Sequence, residues 1–260
     1  MKVEGGNVDG SASPRWWCDT HVHLHARFGV GAFLDAAASN LAAAGAAAGR
    51  GVLSLTECAG VHAFRGMREG GSAGAWSFGA WGEHGVRARR DDGVSLGVIA
   101  GRQVRCGNGL EVLGLGRDFD VDDGGGLRET VDAVRAAGAW AVVPYGVGKW
   151  SGARGRAVRG LIEDGPAGVA FGDNAGRVGW GEQTLLARAR AAGRTVLVGT
   201  DPLDLDGAVG HAGRWGVMVE AEDDAAAVAA ALGAAGPRPA TFGRRRPMGS
   251  ALADQVRLRL

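Results

Sequence analysis

Residues 15–23 read Arg-Trp-Trp-Cys-Asp-Thr-His-Val-His. The stretch predicts a strand that ends in polar groups. His21 and His23 lie two apart, so on a strand both side chains leave the same face. The arrangement returns along the chain. A strand at Val52–Thr56 is followed by Glu57 and Cys58, and strands at 95–105 and 110–116 carry Gln103 and Glu111. A strand at 140–145 ends in Tyr145, with Lys149 and Trp150 just beyond. Strands at 168–172 and 195–199 run into Asp173-Asn174 and Thr200-Asp201. In parallel α/β folds such strand ends meet on one face, and active sites form there.

Helices are expected between these strands. Phe33, Leu34, Ala37, Leu41 and Ala44 recur at helical spacing, giving a helix over 31–48 with Gly49 and Gly51 at its exit. Further helices are expected at 127–138, 154–163, 182–192 and 223–234, and a last strand at 216–220. Alternating strands and helices imply crossover connections and a mainly parallel sheet. Six or seven units predict a closed or nearly closed α/β barrel, with an open doubly wound sheet as the alternative. Residues 59–93, with Trp76, Trp81, His84 and many charges, read as an irregular insertion with room for one short helix. Residues 1–14 read as a flexible polar tail, leaving 15–260 as a single domain.

Composition narrows the function classes. Apolar residues make up 46% of the 260, enough for a sizeable core. The net charge of +1 gives no general reason to expect nucleic acid or a membrane as partner. The clusters Arg87-Ala88-Arg89-Arg90 and Arg244-Arg245-Arg246 read as solvated surface, the first offset by Asp91 and Asp92. Three cysteines (Cys18, Cys58 and Cys106) with no C-x-x-C pair argue against a disulfide framework. No stretch is apolar and long enough to span a bilayer, and the first residues lack the apolar core of a signal peptide. The expectation is a cytoplasmic protein.

His21 and His23 offer two neutral nitrogens to one divalent cation, and Asp201 supplies a carboxylate; zinc, manganese or iron would suit such a set. The alternative is a pair of half-buried histidines bonded to neighbours. His25 continues the alternation past the strand. Glu111 alternates against an apolar face and needs a partner, a metal or Arg102. The loop Pro144–Gly155 sets Lys149, Trp150 and Arg154 on glycine-rich chain at a helix start, which suits a phosphate or carboxylate. Asp173-Asn174 suits metal, water or an Asx-turn, with Arg177 placed to pair with Asp173. Cys58 as a nucleophile would need a histidine base.

Asp-x-His-x-His, Leu-Thr-Glu-Cys, Gly-Arg-Gln-Val, Leu-Glu-Val-Leu-Gly-Leu, Val-Val-Pro-Tyr-Gly and Gly-Thr-Asp follow one another over roughly residues 17–205. In this order the chain resembles the PHP domain family of metal-dependent phosphoesterases, and more weakly the amidohydrolase superfamily. The resemblance implies a distorted (β/α)7 barrel with a metal cluster. Several positions depart from the family pattern: Thr56-Glu57-Cys58 stands for Thr-Asp-His, Gln103 for a glutamate, Glu111 for a histidine, Tyr145-Gly146 for His-Pro and Pro202-Leu203 for the end of Ser-Asp-x-His. One or two ions are therefore implied, held by His21, His23, Asp201 and Glu57.

The resulting expectation is a metal-dependent hydrolase of a phosphate ester or other small anionic substrate. Glu57, Glu111 or Asp173 would act as general base and Lys149 would assist. Lys149, Arg154, Asn174, Tyr145, Trp150 and Gln103 would bind substrate. Two alternatives stand beside it. One is a non-catalytic barrel that binds a metabolite or partner through the 76–81 stretch and the 145–154 loop. The other is an amidohydrolase-type enzyme of a dedicated biosynthetic pathway.

Overall fold

A computed structural model describes residues 13–178 and 182–258. Most of the expected N-terminal tail lies outside the described residues. Strand β1 (Arg15–Val22) leads to helix α1 (Val30–Ala43) and strand β2 (Gly51–Leu55). Helix α2 (Ala63–Arg68) precedes six strands: β3 (Ser72–Ala73), β4 (Trp76–Ala80), β5 (Gly85–Arg90), β6 (Ser95–Ile99), β7 (Gly101–Arg105) and β8 (Glu111–Leu115). Then α3 (Leu127–Ala136), β9 (Trp140–Pro144), α4 (Gly152–Asp164), β10 (Ala170–Asn174), α5 (Thr184–Ala191) and β11 (Val196–Gly199) alternate. A 3-10 turn (Ala208–His211), β12 (Trp215–Glu220), α6 (Ala225–Gly233), β13 (Thr241–Gly243) and α7 (Met248–Arg257) complete the order.

These strands form two mixed sheets, of order β13-β12-β1-β2-β6-β5-β4-β3 and β11-β10-β9-β8-β7. The expected (β/α)7-like, TIM-like barrel of mainly parallel strands is overturned. Among the described residues, the pairs β1–β2, β2–β6, β9–β10 and β10–β11 are parallel and all the others antiparallel. The reason lies in the connections. A parallel neighbour needs a crossover of a dozen or so residues, usually through a helix. From β3 to β6, and again from β7 to β8, no helix intervenes and each strand turns back on the last.

Two local expectations change with this. Residues 59–93 are not irregular: they form α2 and the meander β3–β5, which pairs antiparallel onto β6. The strand expected over 95–105 is two strands, because the chain passes from the larger sheet to the smaller at Ala100. Gly101 permits that crossing. A Cβ there would lie 2.5 Å from the Leu55 carbonyl oxygen and 2.6 Å from that of Gly114.

Three apolar clusters hold the fold. Phe33, Leu34, Ala37, Ala38 and Leu41 form the buried stripe of α1 and pack on the larger sheet with Leu53, Leu55 and Trp76. Val131, Val134, Val158, Leu161 and Leu186 bring α3, α4 and α5 onto the smaller sheet. Between the sheets and α6 lie Trp16, Trp81, Trp215, Leu113 and Leu197. Trp76 and Trp81 are therefore core residues, 1% and 6% exposed, and do not present a binding surface along 76–81. Arg87, expected on the surface, is buried over the Trp81 ring at 4.1 Å and paired with Asp223. No helix among the described residues is long and apolar enough to cross a membrane.

Candidate metal centre

The two sheets meet at two seams, and the site lies between them. At one seam Glu57 bridges to Arg102, with Glu57 N–H donating to the Gly101 carbonyl at 3.2 Å and Gln103 N–H to that of Glu57 at 2.8 Å. At the other, β11 lies against β1. Gly199 makes that approach possible, since a Cβ would fall 2.5 Å from the His21 nitrogen. The parallel run β9-β10-β11 delivers Tyr145, Asn174 and Asp201 to the edge where β1 delivers His21 and His23. A bulge between Asp19 and Val22 shifts the register of β1 against β2, and this bend separates the directions taken by Asp19 and His21.

Asp19 is fully buried and fastens the seam. Its carboxylate accepts from Thr200 N–H at 2.8 Å, the Thr200 hydroxyl at 2.5 Å, Gly213 N–H at 2.9 Å and His21 N–H at 3.5 Å. Burial nonetheless pushes its carboxyl up to about 7. Asp201 is the one non-glycine residue with positive φ among the described residues, at 47°. Aspartate tolerates this conformation better than most side chains. Asp201 N–H donates to the His21 carbonyl at 2.8 Å, so the main chain locks the two positions together.

The three donors converge. His21 Nε2 and His23 Nε2 are 3.0 Å apart, and Asp201 Oδ1 is 3.6 and 3.4 Å from them. Adjacent ligand atoms of a tetrahedral ion with bonds of about 2.0–2.1 Å are separated by about 3.3–3.4 Å. The set therefore fits one such ion. Asn174 supports it: its Nδ2 donates to Asp201 Oδ2 at 2.9 Å and to the Tyr145 carbonyl at 2.8 Å, while its buried Oδ1 has no hydrogen-bond partner among the described residues. Burial lowers the His21 pKa. Burial opposes charge on His23 too, but hydrogen bonds to Asp201 and Cys58 raise it to about 10. Burial would raise Asp201, yet His21 and His23 hold it well below the usual carboxylate range. A cation taken up by these donors displaces a proton from His23.

The donors open into a cavity of about 290 Å³, which also reaches Gln103, Glu111, Tyr145 and Lys149. Lys149 Nζ donates to Glu111 Oε1 at 2.5 Å, so the partner of Glu111 is this lysine and not Arg102. Other expected site residues lie elsewhere. Glu57 accepts from Phe64 N–H at 2.9 Å at the start of α2 and faces Arg102 at 3.6 Å. Asp173 is clamped by Arg177 at 2.7 and 3.1 Å. Arg154 folds back onto the Gly148 carbonyl. Trp150 is buried against Phe171 and donates to the Pro144 carbonyl. None of these four is among the residues lining the cavity.

Residues given no metal or substrate role from the sequence also line it. Cys58 brings its Sγ within 3.6 Å of Gln103 Nε2, and His25 Nε2 lies 2.8 Å from the Pro202 carbonyl oxygen. Arg246 and Gln255 reach the cavity from the C-terminal segment. The arginine run at 244–246 was visible in the sequence, but no local pattern shows a chain returning across the site.

No protein-family model matches the chain, and no curated protein matches it. Among solved structures it is similar to PsfC from Pseudomonas syringae PB-5123. The TM-score is 0.58 at 13% identity, over 94% of this chain and 98% of that one. At that identity the likeness shows the fold.

Near this site His211 is held down to about 4, by burial first and then by Arg246 and Arg214. An unfolded histidine titrates near 6.5. As pH falls below that value the unfolded chain takes up a proton that the folded chain refuses, so stability is lost between about pH 6.5 and 4. Between about pH 7 and pH 5 this amounts to about 1–2 kcal/mol. The His211→Gln variant should lose correspondingly less in urea titrations at the two pH values. Equal losses in both proteins would remove His211 as the cause.

Proposed function

We propose that this chain is a metal-dependent hydrolase of a small anionic substrate, with a phosphate ester as the first candidate. The convergence of His21 Nε2, His23 Nε2 and Asp201 Oδ1 at separations a single ion needs carries the reading. Three donors suit one cation of the zinc, manganese or iron type, with Cys58 beside His23 as a further soft donor that favours zinc.

A divalent ion held there supplies Lewis acidity, polarising a phosphoryl oxygen and making water acidic enough to react near neutral pH. The remaining work falls to the chain's own side chains. Glu111 lines the cavity where Glu57 and Asp173 do not, and it accepts the proton. Lys149 stays on Glu111 in the resting site and carries positive charge toward the substrate's oxygens. Asn174 keeps Asp201 aimed, and the left-handed turn at Asp201 returns its carboxylate to the histidines. Arg246 and Lys149 on one cavity favour an anionic ester over a neutral amide or lactone.

The test is a panel of phosphate mono- and diesters with the zinc-, manganese- or iron-loaded protein and its Glu111→Gln variant. Turnover should fall by about 10²–10⁴ in the variant while metal content stays the same. Full activity in Glu111→Gln would move the base elsewhere. No turnover of any ester by metal-loaded protein would end the hydrolase reading.

A further inference from the structure

A second cavity, of about 520 Å³, lies beside the metal cavity, and Arg246 lines both. Its polar lining includes Arg214, Arg244, Arg245, Arg246, His211 and Asn40, and no acidic side chain among the described residues lines it. Four arginines thus line one concave space, Arg214 and Arg244 exposed and Arg245 and Arg246 half-buried. Arg246 is partly neutralised by Asp254 at 2.5 Å, and the buried carboxylate of Asp19 is occupied by its own hydrogen bonds. Among the described residues, Arg214, Arg244 and Arg245 have no carboxylate within ion-pair distance. Arg214 makes a long bond to Asn40 Oδ1 at 3.4 Å, and Arg245 one to the Arg177 carbonyl at 3.4 Å.

Like charges gathered in a pocket repel one another and destabilise the fold unless something answers them. Planar guanidinium forks suit the paired oxygens of phosphate and carboxylate groups. Burial first, and then Arg246 and Arg214, lower the pKa of His211 in this space. The volume suits a small molecule and not a polymer. We infer that this pocket is an anion-binding site for a small molecule bearing a multiply charged phosphate group. Arg246 sets that anion one side chain away from the cavity of His21, His23 and Asp201. That the anion belongs to the substrate rests on the proposed metal chemistry; that it binds does not.

The test uses metal-free, chelator-treated full-length protein and titration calorimetry with pyrophosphate, with inorganic phosphate and chloride for comparison. Saturable pyrophosphate binding is expected, with a dissociation constant below about 1 mM. Arg244 is exposed, so Arg244→Gln leaves the fold intact, and Arg214→Lys keeps the charge while removing the fork. Each should weaken pyrophosphate by about tenfold or more, while Arg156→Gln on the exposed face of α4 leaves it unchanged. Absence of saturable binding overturns the proposal. So does binding that ignores Arg244→Gln and Arg214→Lys, or binding of an oligonucleotide in preference to pyrophosphate. Because no metal is present, none of these outcomes depends on the hydrolase reading.

Discussion

Replacing Asp19 by alanine should destabilise the folded protein by about 3–5 kcal/mol, because several buried donors lose one shared acceptor. The carboxylate is fully buried and accepts from Thr200, Gly213 and His21. Alanine leaves those N–H groups without an acceptor, and each unsatisfied buried donor costs about 1–3 kcal/mol. The same bonds hold β11 against β1, so the separation between Asp201 and the two histidines loosens with them. Asp19→Asn keeps the shape and one acceptor oxygen, so it should lose less. Chemical denaturation at one pH measures both. An Asp19→Ala loss under about 1 kcal/mol would show that the seam does not depend on this residue.

The second large effect concerns the ion. His21→Ala/His23→Ala removes two of the three converging donors and leaves Asp201 with Asn174. Loss of a merely supporting residue around a metal costs about 10–100-fold in affinity. Loss of two ligands should exceed that and abolish retention of the ion through purification. His21 lies near the end of β1 and His23 just past it, and both line the cavity, where truncation widens a space already open. The variant should therefore keep its native near-ultraviolet circular dichroism.

What the sequence disclosed follows from how local each signal is. Two-residue alternation is enough to place His21 and His23 together, and a polar residue after a parallel strand is enough to place Asn174, Tyr145 and Asp201 beside them. The central strands β9, β10 and β11 and the helices between them are of this kind. The larger architecture was not local. Whether Ser95–Arg105 is one strand or two depends on Leu55 and Gly114 crowding Gly101 from other strands. Without helices between them, β3 to β6 reverse one after another, as do β7 and β8, and a reversed strand has the same alternation as a parallel one. Glu57 and Asp173 have the right chemistry in the right places along the chain, but Phe64 N–H and Arg177 occupy them. Arg246 joins the site by a return of the chain that no motif announces.

Metal content of the purified protein, measured by elemental mass spectrometry beside His21→Ala/His23→Ala, tests the central claim most directly. The expected result is about one equivalent of a transition metal per chain in the native protein, lost in a variant that remains folded. Native protein that stays folded yet takes up no ion after incubation with zinc, manganese and iron would contradict it.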